Sequence, residues 1–157
     1  MSKKVVLSVD PGKASGIAVI SWTGVPDELP IVEYSIESQP DQYGMEIRIL
    51  LNQWMRSENF SVACESFIIN AQTVRNSQAP YSLEQIGILK FLCRDLGYDP
   101  DQIIFQSPAN AKAMFPNPAL KTLGTWHRGG EGHANDAIRH GLLCLVKRGW
   151  VPRALLD

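Results

Sequence analysis

Two apolar, β-branched runs follow one another almost without a break, KKVVLSVD at residues 3–10 and GIAVISW at 16–22, with a Pro-Gly turn between them. Runs of this composition joined by so short a turn read as an antiparallel hairpin, and IVEYSIE (31–37), with alternating apolar positions, adds a third strand. A chain that opens on three meandering strands must build the rest of its fold on a sheet. The first strand carries one anomaly, because Asp10 places a carboxylate at the end of a segment that should be buried.

After Pro40 the period changes. Met45, Ile49, Leu50 and Trp54 recur at helical spacing, so 41–57 is expected to be an amphipathic helix. FSVACESF (60–67) reads as a short buried strand ending at Glu65. Residues 66–80, rich in Asn, Gln and Ser, read as a long loop. The next helix is expected to begin at a Ser82 N-cap and to stop at Gly97. DQIIFQ (101–106) follows as a strand, then a short helix begun by Ser107 and Pro108, a mostly irregular 116–132, and a last helix from His133 to about Gly149. The order predicts an α/β fold in one domain spanning 1–157, with a mixed sheet flanked by helices.

At 157 residues and 45% hydrophobic composition the chain can bury one ordinary core. A formal net charge of −1 shows no global basic excess, so nucleic-acid binding would need a local patch or metal ions. Cys64, Cys93 and Cys144 form no CxxC pair and lie in apolar stretches, which predicts buried, reduced thiols and no zinc site. The apolar run that follows Lys3 and Lys4 is too short for a signal peptide or a membrane span, so a soluble, cytoplasmic protein is expected.

The last helix sharpens the question raised by Asp10. At 100° per residue, Ala134, Ile138, Leu142 and Leu145 fall within roughly 80°, while His133, Asp136 and His140 fall within roughly 60° on the far side. Asp10 and Glu65 both close strands, and active residues of α/β sheets collect at strand carboxyl ends. If the helix crosses that edge with its polar stripe inward, Asp10, Glu65, His133 and Asp136 converge. Three carboxylates in one place need a compensating cation, and hard oxygen ligands suit Mg²⁺ or Mn²⁺. Two such ions are a standard device for phosphodiester cleavage.

LSVDPGKASGIAVI (7–20), CESF (64–67) and GHANDAIRHGL (132–142) together resemble the RuvC-type Holliday junction resolvases of the RNase H-like nuclease superfamily, in motif order and over the whole chain. The resemblance implies a five-stranded sheet in the order 3-2-1-4-5 and a homodimer that resolves four-way DNA junctions by paired symmetric nicking. It maps the metal-binding and catalytic set onto Asp10, Glu65, His133 and Asp136, with two Mg²⁺ ions that Mn²⁺ can replace. Phe67 is the nearest match to the aromatic that the family carries after its Glu, at a different spacing, and Lys112 resembles its basic residue in the helix after the last strand. Lys13, Arg75, Lys121 and Arg128 are further candidates for phosphate contact, set against the reading of ordinary surface charge. Nucleases acting on other branched DNA or on RNA share the same ligand pattern. A silent DNA-binding module would have no use for the acidic set. Sugar-kinase and chaperone ATPases open with a comparable Asp-x-Gly loop but need two such domains.

Overall fold

The computed structural model describes residues 2–75 and 79–156. Strands β1 (Lys4–Asp10), β2 (Ser15–Trp22) and β3 (Ile31–Ser38) form the antiparallel meander, and β4 (Phe60–Glu65) and β5 (Ile104–Gln106) extend it in parallel. The sheet order is β3-β2-β1-β4-β5, as the resemblance implied. Helices α1 (Pro40–Trp54) and α3 (Ala79–Leu96) cover one face; α4 (Pro108–Met114), α5 (Asn117–Thr122) and α6 (His133–Lys147) lie on the other side, with a short α2 (Ala71–Val74) after β4. Among the described residues no helix is long and apolar enough to cross a membrane.

The period of two in the strands decides where the acids go. Val5, Leu7 and Val9 of β1, with Val62 and Cys64 of β4, pack beneath Tyr43, Ile47 and Leu51 of α1 and Leu89 of α3. Val6 of β1 and Ala63 of β4 face the opposite way, against Ile138, Leu142 and Leu145 of α6. Asp10 and Glu65 share the parity of Val6 and Ala63, so both point to the α6 face. The parallel register pairs Val9 with Cys64, and one residue further on it brings the two acids side by side.

Helix α6 lies unusually close to the sheet. A Cβ at Gly16 would stand 1.8 Å from the His133 carbonyl oxygen, and one at Gly141 would stand 2.6 Å from Ile20 Cδ1. Glycine at both positions lets the helix backbone settle onto β2.

Several boundaries differ from the sequence reading. Helix α3 begins at Ala79, with Pro80 in its first turn where a missing N–H is harmless, so Ser82 is not an N-cap. Its hydroxyl donates instead to the Pro11 carbonyl oxygen at 3.1 Å, tying α3 to the loop behind Asp10. The expected loop 66–80 contains α2, closed by a capping box between Asn70 and Thr73, while 76–78 lie outside the described residues. The expected irregular stretch 116–132 contains α5, opened by Pro118 in its first turn. Helix α1 stops at Trp54, and α6 at Lys147.

All three cysteines are free and buried. Burial pushes the Cys93 thiol up to about 12 and the Cys144 thiol up to about 11, and Cys64 also rises well above its ordinary value. The native protein is therefore expected to resist a thiol-alkylating reagent at pH 8 and to take up three labels once unfolded in denaturant. Mass spectrometry of the two samples reads the difference, and fast labelling of the native protein would contradict the packing described.

Candidate active site

Asp10 is only 7% exposed, at the carboxyl end of the central strand. Its Oδ2 lies 3.4 Å from Nδ1 of His133, the first residue of α6. Asp136 stands three residues further on, and one ligand atom from each of Asp10, His133 and Asp136 falls within 4.8 Å of the others. Glu65 approaches from the other side, sharing a hydrogen bond with the Asp10 carboxyl and lying 3.1 Å through Oε1 from His140 Nε2. Asp10, His133 and Asp136 come together, while Glu65 lies outside that group of ligand atoms, next to Asp10 in the register and turned to His140.

The electrostatics divide the two central acids. Burial pushes the Asp10 carboxyl up to about 8; the His133 hydrogen bond opposes this, and the charges of Glu65 and Asp136 add to the rise. Burial also pushes Glu65 upward, but hydrogen bonds with His140 and Asp10, together with the Lys112 charge, outweigh it, leaving that carboxyl below its ordinary range. The two acids are thus pushed in opposite directions, Asp10 upward and Glu65 downward. The Asp10 hydrogen bond raises the His133 pKa against the opposing effect of burial, helped by the charges of Asp10, Glu37 and Asp136. A buried carboxyl whose charged form is disfavoured, with further oxygen donors and one imidazole close by, suits a hard divalent cation, which would relieve the repulsion. The residues present fit Mg²⁺ or Mn²⁺.

Four residues that sequence reasoning missed or undervalued hold this arrangement. Arg139, 5% exposed, donates through Nε to the Phe115 carbonyl oxygen at 2.7 Å, through one terminal nitrogen to Asp136 Oδ1 at 2.5 Å, and through the other to Asn117 Oδ1. His140, on the same helical stripe as His133 and Asp136, is 1% exposed and braces Glu65. Gln106, the β5 partner of Glu65, donates through its amide to the His140 carbonyl oxygen at 2.8 Å and reaches His140 Nδ1 at 3.3 Å. That contact makes Nδ1 the acceptor and leaves Nε2–H to donate to Glu65. The fourth residue, Glu37 of β3, contacts the loop before α6. Period-two and helical patterns reveal which face a residue occupies, and these four are defined by partners from distant segments.

The basic candidates separate. Lys112 lines a cavity of about 230 Å³ together with Asn117, Trp126, Asp136 and Arg139, and its charge reaches Glu65. Lys13 lines a cavity of about 360 Å³ with Glu37 and His133. Lys121 and Arg128 line a third, of about 450 Å³, with Trp126, over whose ring the Lys121 ammonium sits at 4.7 Å. Trp126 is a wall of both the Lys112 and the Lys121 cavities. Arg75 is exposed just beyond α2, and Phe67 is half-buried next to the more exposed Ile68 and Ile69.

No protein-family model matches this sequence, and no curated protein sequence matches it. Solved structures do. A meandering β1–β3 sheet extended by parallel β4 and β5, with the last helix packed across its acidic edge, is the RNase H-like fold. Within that class the structural neighbours are RuvC-type Holliday junction resolvases. Thermus thermophilus RuvC in complex with a Holliday junction substrate aligns over 93% of this chain and 96% of its own at 16% identity, with a TM-score of 0.67. A second Thermus thermophilus RuvC structure aligns over 92% and 96% at 16% identity, with a TM-score of 0.69. The fowlpox virus Holliday junction resolvase aligns over 92% and 99% at 12% identity, with a TM-score of 0.54.

Proposed function

We propose that the protein is a metal-dependent endodeoxyribonuclease that resolves Holliday junctions by paired, symmetric nicking, acting as a homodimer. The observation that carries this reading is the meeting of Asp10 with His133 and Asp136 at the start of α6, with Glu65 beside Asp10 at the parallel edge. The likeness to Thermus thermophilus RuvC and to the fowlpox virus Holliday junction resolvase supports the same substrate class. A homodimer suits a substrate with near-two-fold symmetry, which needs two matching cuts.

Asp10, Glu65, His133 and Asp136 would hold two divalent cations. The bound ions would supply an activated water and stabilise the leaving 3′ oxygen. The chain's own groups prepare the rest. His140, fixed by Gln106, presents Nε2–H to Glu65 Oε1 and so orients that carboxylate. Arg139 holds Asp136 in a single rotamer. His133 has Nδ1 committed to Asp10 and Nε2 toward the half-open cavity, where it can hold or release a proton. Lys112 places positive charge beside Glu65, and Lys13, Lys121 and Arg128 offer phosphate contacts around the site. Arg75 and Phe67 stand on the segment after Glu65, where a junction arm would pass.

The test is incubation of the purified protein with a synthetic four-way junction, a flap, linear duplex and an RNA·DNA hybrid, each with Mg²⁺, Mn²⁺ or EDTA. Symmetric nicks confined to the four-way junction, lost in EDTA, are expected. Metal-dependent cutting of flaps or RNA instead would move the protein to a related nuclease class, and absence of cutting on all substrates would sink the nuclease reading. Glu65→Gln is expected to abolish cutting and leave junction binding within about two-fold in a gel-shift assay with Ca²⁺, because the substitution removes charge without volume. Wild-type cutting by this variant would mean that Glu65 is not a ligand.

A further inference from the structure

Helix α6 begins without a cap of its own. Gly132 occupies the N-cap position at φ 95°, offers no side chain, and is preceded by Gly129 and Gly130, both also at positive φ. Such a segment has high backbone freedom, yet it leads directly into His133 and Asp136. A residue nearly a hundred positions earlier supplies the missing acceptor. Glu37, near the end of β3, accepts the Glu131 N–H through both carboxylate oxygens, at 2.7 Å and 3.0 Å, and the His133 N–H through Oε1 at 2.9 Å. Gly130 is shaped to it: a Cβ there would stand 2.5 Å from the Glu37 carboxyl carbon and 2.6 Å from each oxygen.

We propose that Glu37 is a positioning residue for the metal-binding cluster, clamping the first turn of α6 so that His133 and Asp136 face Asp10. Resting on the nuclease reading above, the inference extends it to a residue outside the ligand set. The clamp works from the sheet side, because β3 pairs with β2, and the β2 residue Gly16 already meets the His133 carbonyl. Glu37 therefore fixes one peptide N–H of the turn while Gly16 admits the adjacent carbonyl. The rest of the segment is stitched by neutral bonds. Asn135 bridges the backbone N–H and carbonyl of His127 at 2.8 Å and 3.0 Å, and the Ser35 hydroxyl meets His127 Nδ1 at 2.7 Å. Those bonds hold the middle of the loop. Among the described residues, Glu37 alone accepts from both the Glu131 and the His133 amides that lead into the helix.

The test uses full-length protein carrying Glu37→Ala, Glu37→Gln or Gly130→Ala. Hydrogen exchange followed by mass spectrometry or NMR is expected to show the Glu131 and His133 amides exchanging at least about ten-fold faster in Glu37→Ala, with Leu142 amide exchange unchanged. The Mn²⁺ dissociation constant is expected to rise by about ten-fold and kcat on a four-way junction to fall by roughly ten-fold, while KM moves less than about two-fold, since the ligands lose their orientation and not their charge. Glu37→Gln, which keeps one acceptor oxygen in place, is expected to restore most of both, and Gly130→Ala to reproduce Glu37→Ala by displacing the carboxylate without removing it. Unchanged exchange at Glu131 and His133 would overturn the clamp. Faster exchange with unaltered Mn²⁺ affinity would overturn its positioning role. If wild-type protein cuts no substrate, the exchange and Mn²⁺ readouts still decide the clamp, and the failure belongs to the nuclease reading.

Discussion

Asp10→Asn is expected to abolish junction cleavage and, in the same protein, to raise the thermal stability of the metal-free state at pH 8. Both effects come from one physical fact. Asp10 sits 7% exposed beside Glu65 and Asp136, and burial with those charges pushes its carboxyl from an ordinary 3.8 up to about 8. A folded-state pKa raised above the unfolded value means that the native protein binds the proton more tightly than the unfolded chain. The resulting stability is fully present below about pH 4 and disappears as pH rises toward 8, above which the native state must carry a buried, poorly compensated charge. A rise of that size, shared across a pair with Glu65, corresponds to about 2–5 kcal/mol. At roughly 2–4 °C per kcal/mol for a chain of this length, the difference in Tm is about 4–20 °C. The neutral amide of Asn carries no such charge at any pH. The measurement is Tm against pH from 4.5 to 8.5 in EDTA for both proteins, and it is the gap between them that isolates Asp10 from other titrations. The gap is expected to widen with rising pH and to close when Mg²⁺ is added to the wild type, because the cation supplies what the proton supplied. A pH-independent gap would show that the carboxyl is not held protonated. Full cleavage by the variant would remove Asp10 from the site altogether.

That charge was visible before any coordinates, since a carboxylate ending a β-branched run has no apolar reason to be there. Glu65 was legible on the same ground, and their adjacency follows from two periods of two brought together by one parallel register, Val9 against Cys64. His133 and Asp136 were legible as one stripe of a helix at 100° per residue. The residues that fix these ligands were not. Arg139 reads as an ordinary helical cation, because its partners are the carbonyl of Phe115 and the side chain of Asn117, and the stretch holding Asn117 looked irregular. Helix α5 was hidden by Pro116 and Pro118, which punctuate sequence patterns but fit the entrance to a helix. Ser82 looked like a cap because its neighbourhood matched one, whereas Pro80 lets the helix begin earlier and frees the hydroxyl for Pro11. His140 shares a stripe with His133 and Asp136, and a helical wheel cannot tell a solvated position from one buried against β4 and Gln106. Periodicity assigns faces; only tertiary pairing decides which polar residues are braces.

Arg139→Ala is expected to be the most destabilising of the substitutions considered, and the reason separates it from a surface charge. The guanidinium is 5% exposed and satisfies three different segments: the Phe115 carbonyl after α4, Asn117 in α5, and Asp136 one turn away in α6. Removing one partner of a buried pair leaves Asp136 without its counter-charge and two further acceptors unsatisfied, at a cost of about 3–5 kcal/mol. Arg139→Lys restores charge but cannot span three acceptors with a point ammonium, so it is expected to recover only part of that loss. The double variant Arg139→Ala, Asp136→Asn distinguishes the ion pair from the other bonds. Urea unfolding is expected to show it less destabilised than the sum of the two single variants, because the uncompensated charge is gone. Strict additivity would mean that Arg139 acts through Phe115 and Asn117 alone. The two roles of Asp136 also predict an order of effects under metal. Divalent cation should recover part of the stability of Arg139→Ala, since it can neutralise the orphaned carboxylate, and should leave the double variant unmoved at the same concentration. A cation that stabilised both equally would have to be bound by ligands other than Asp136.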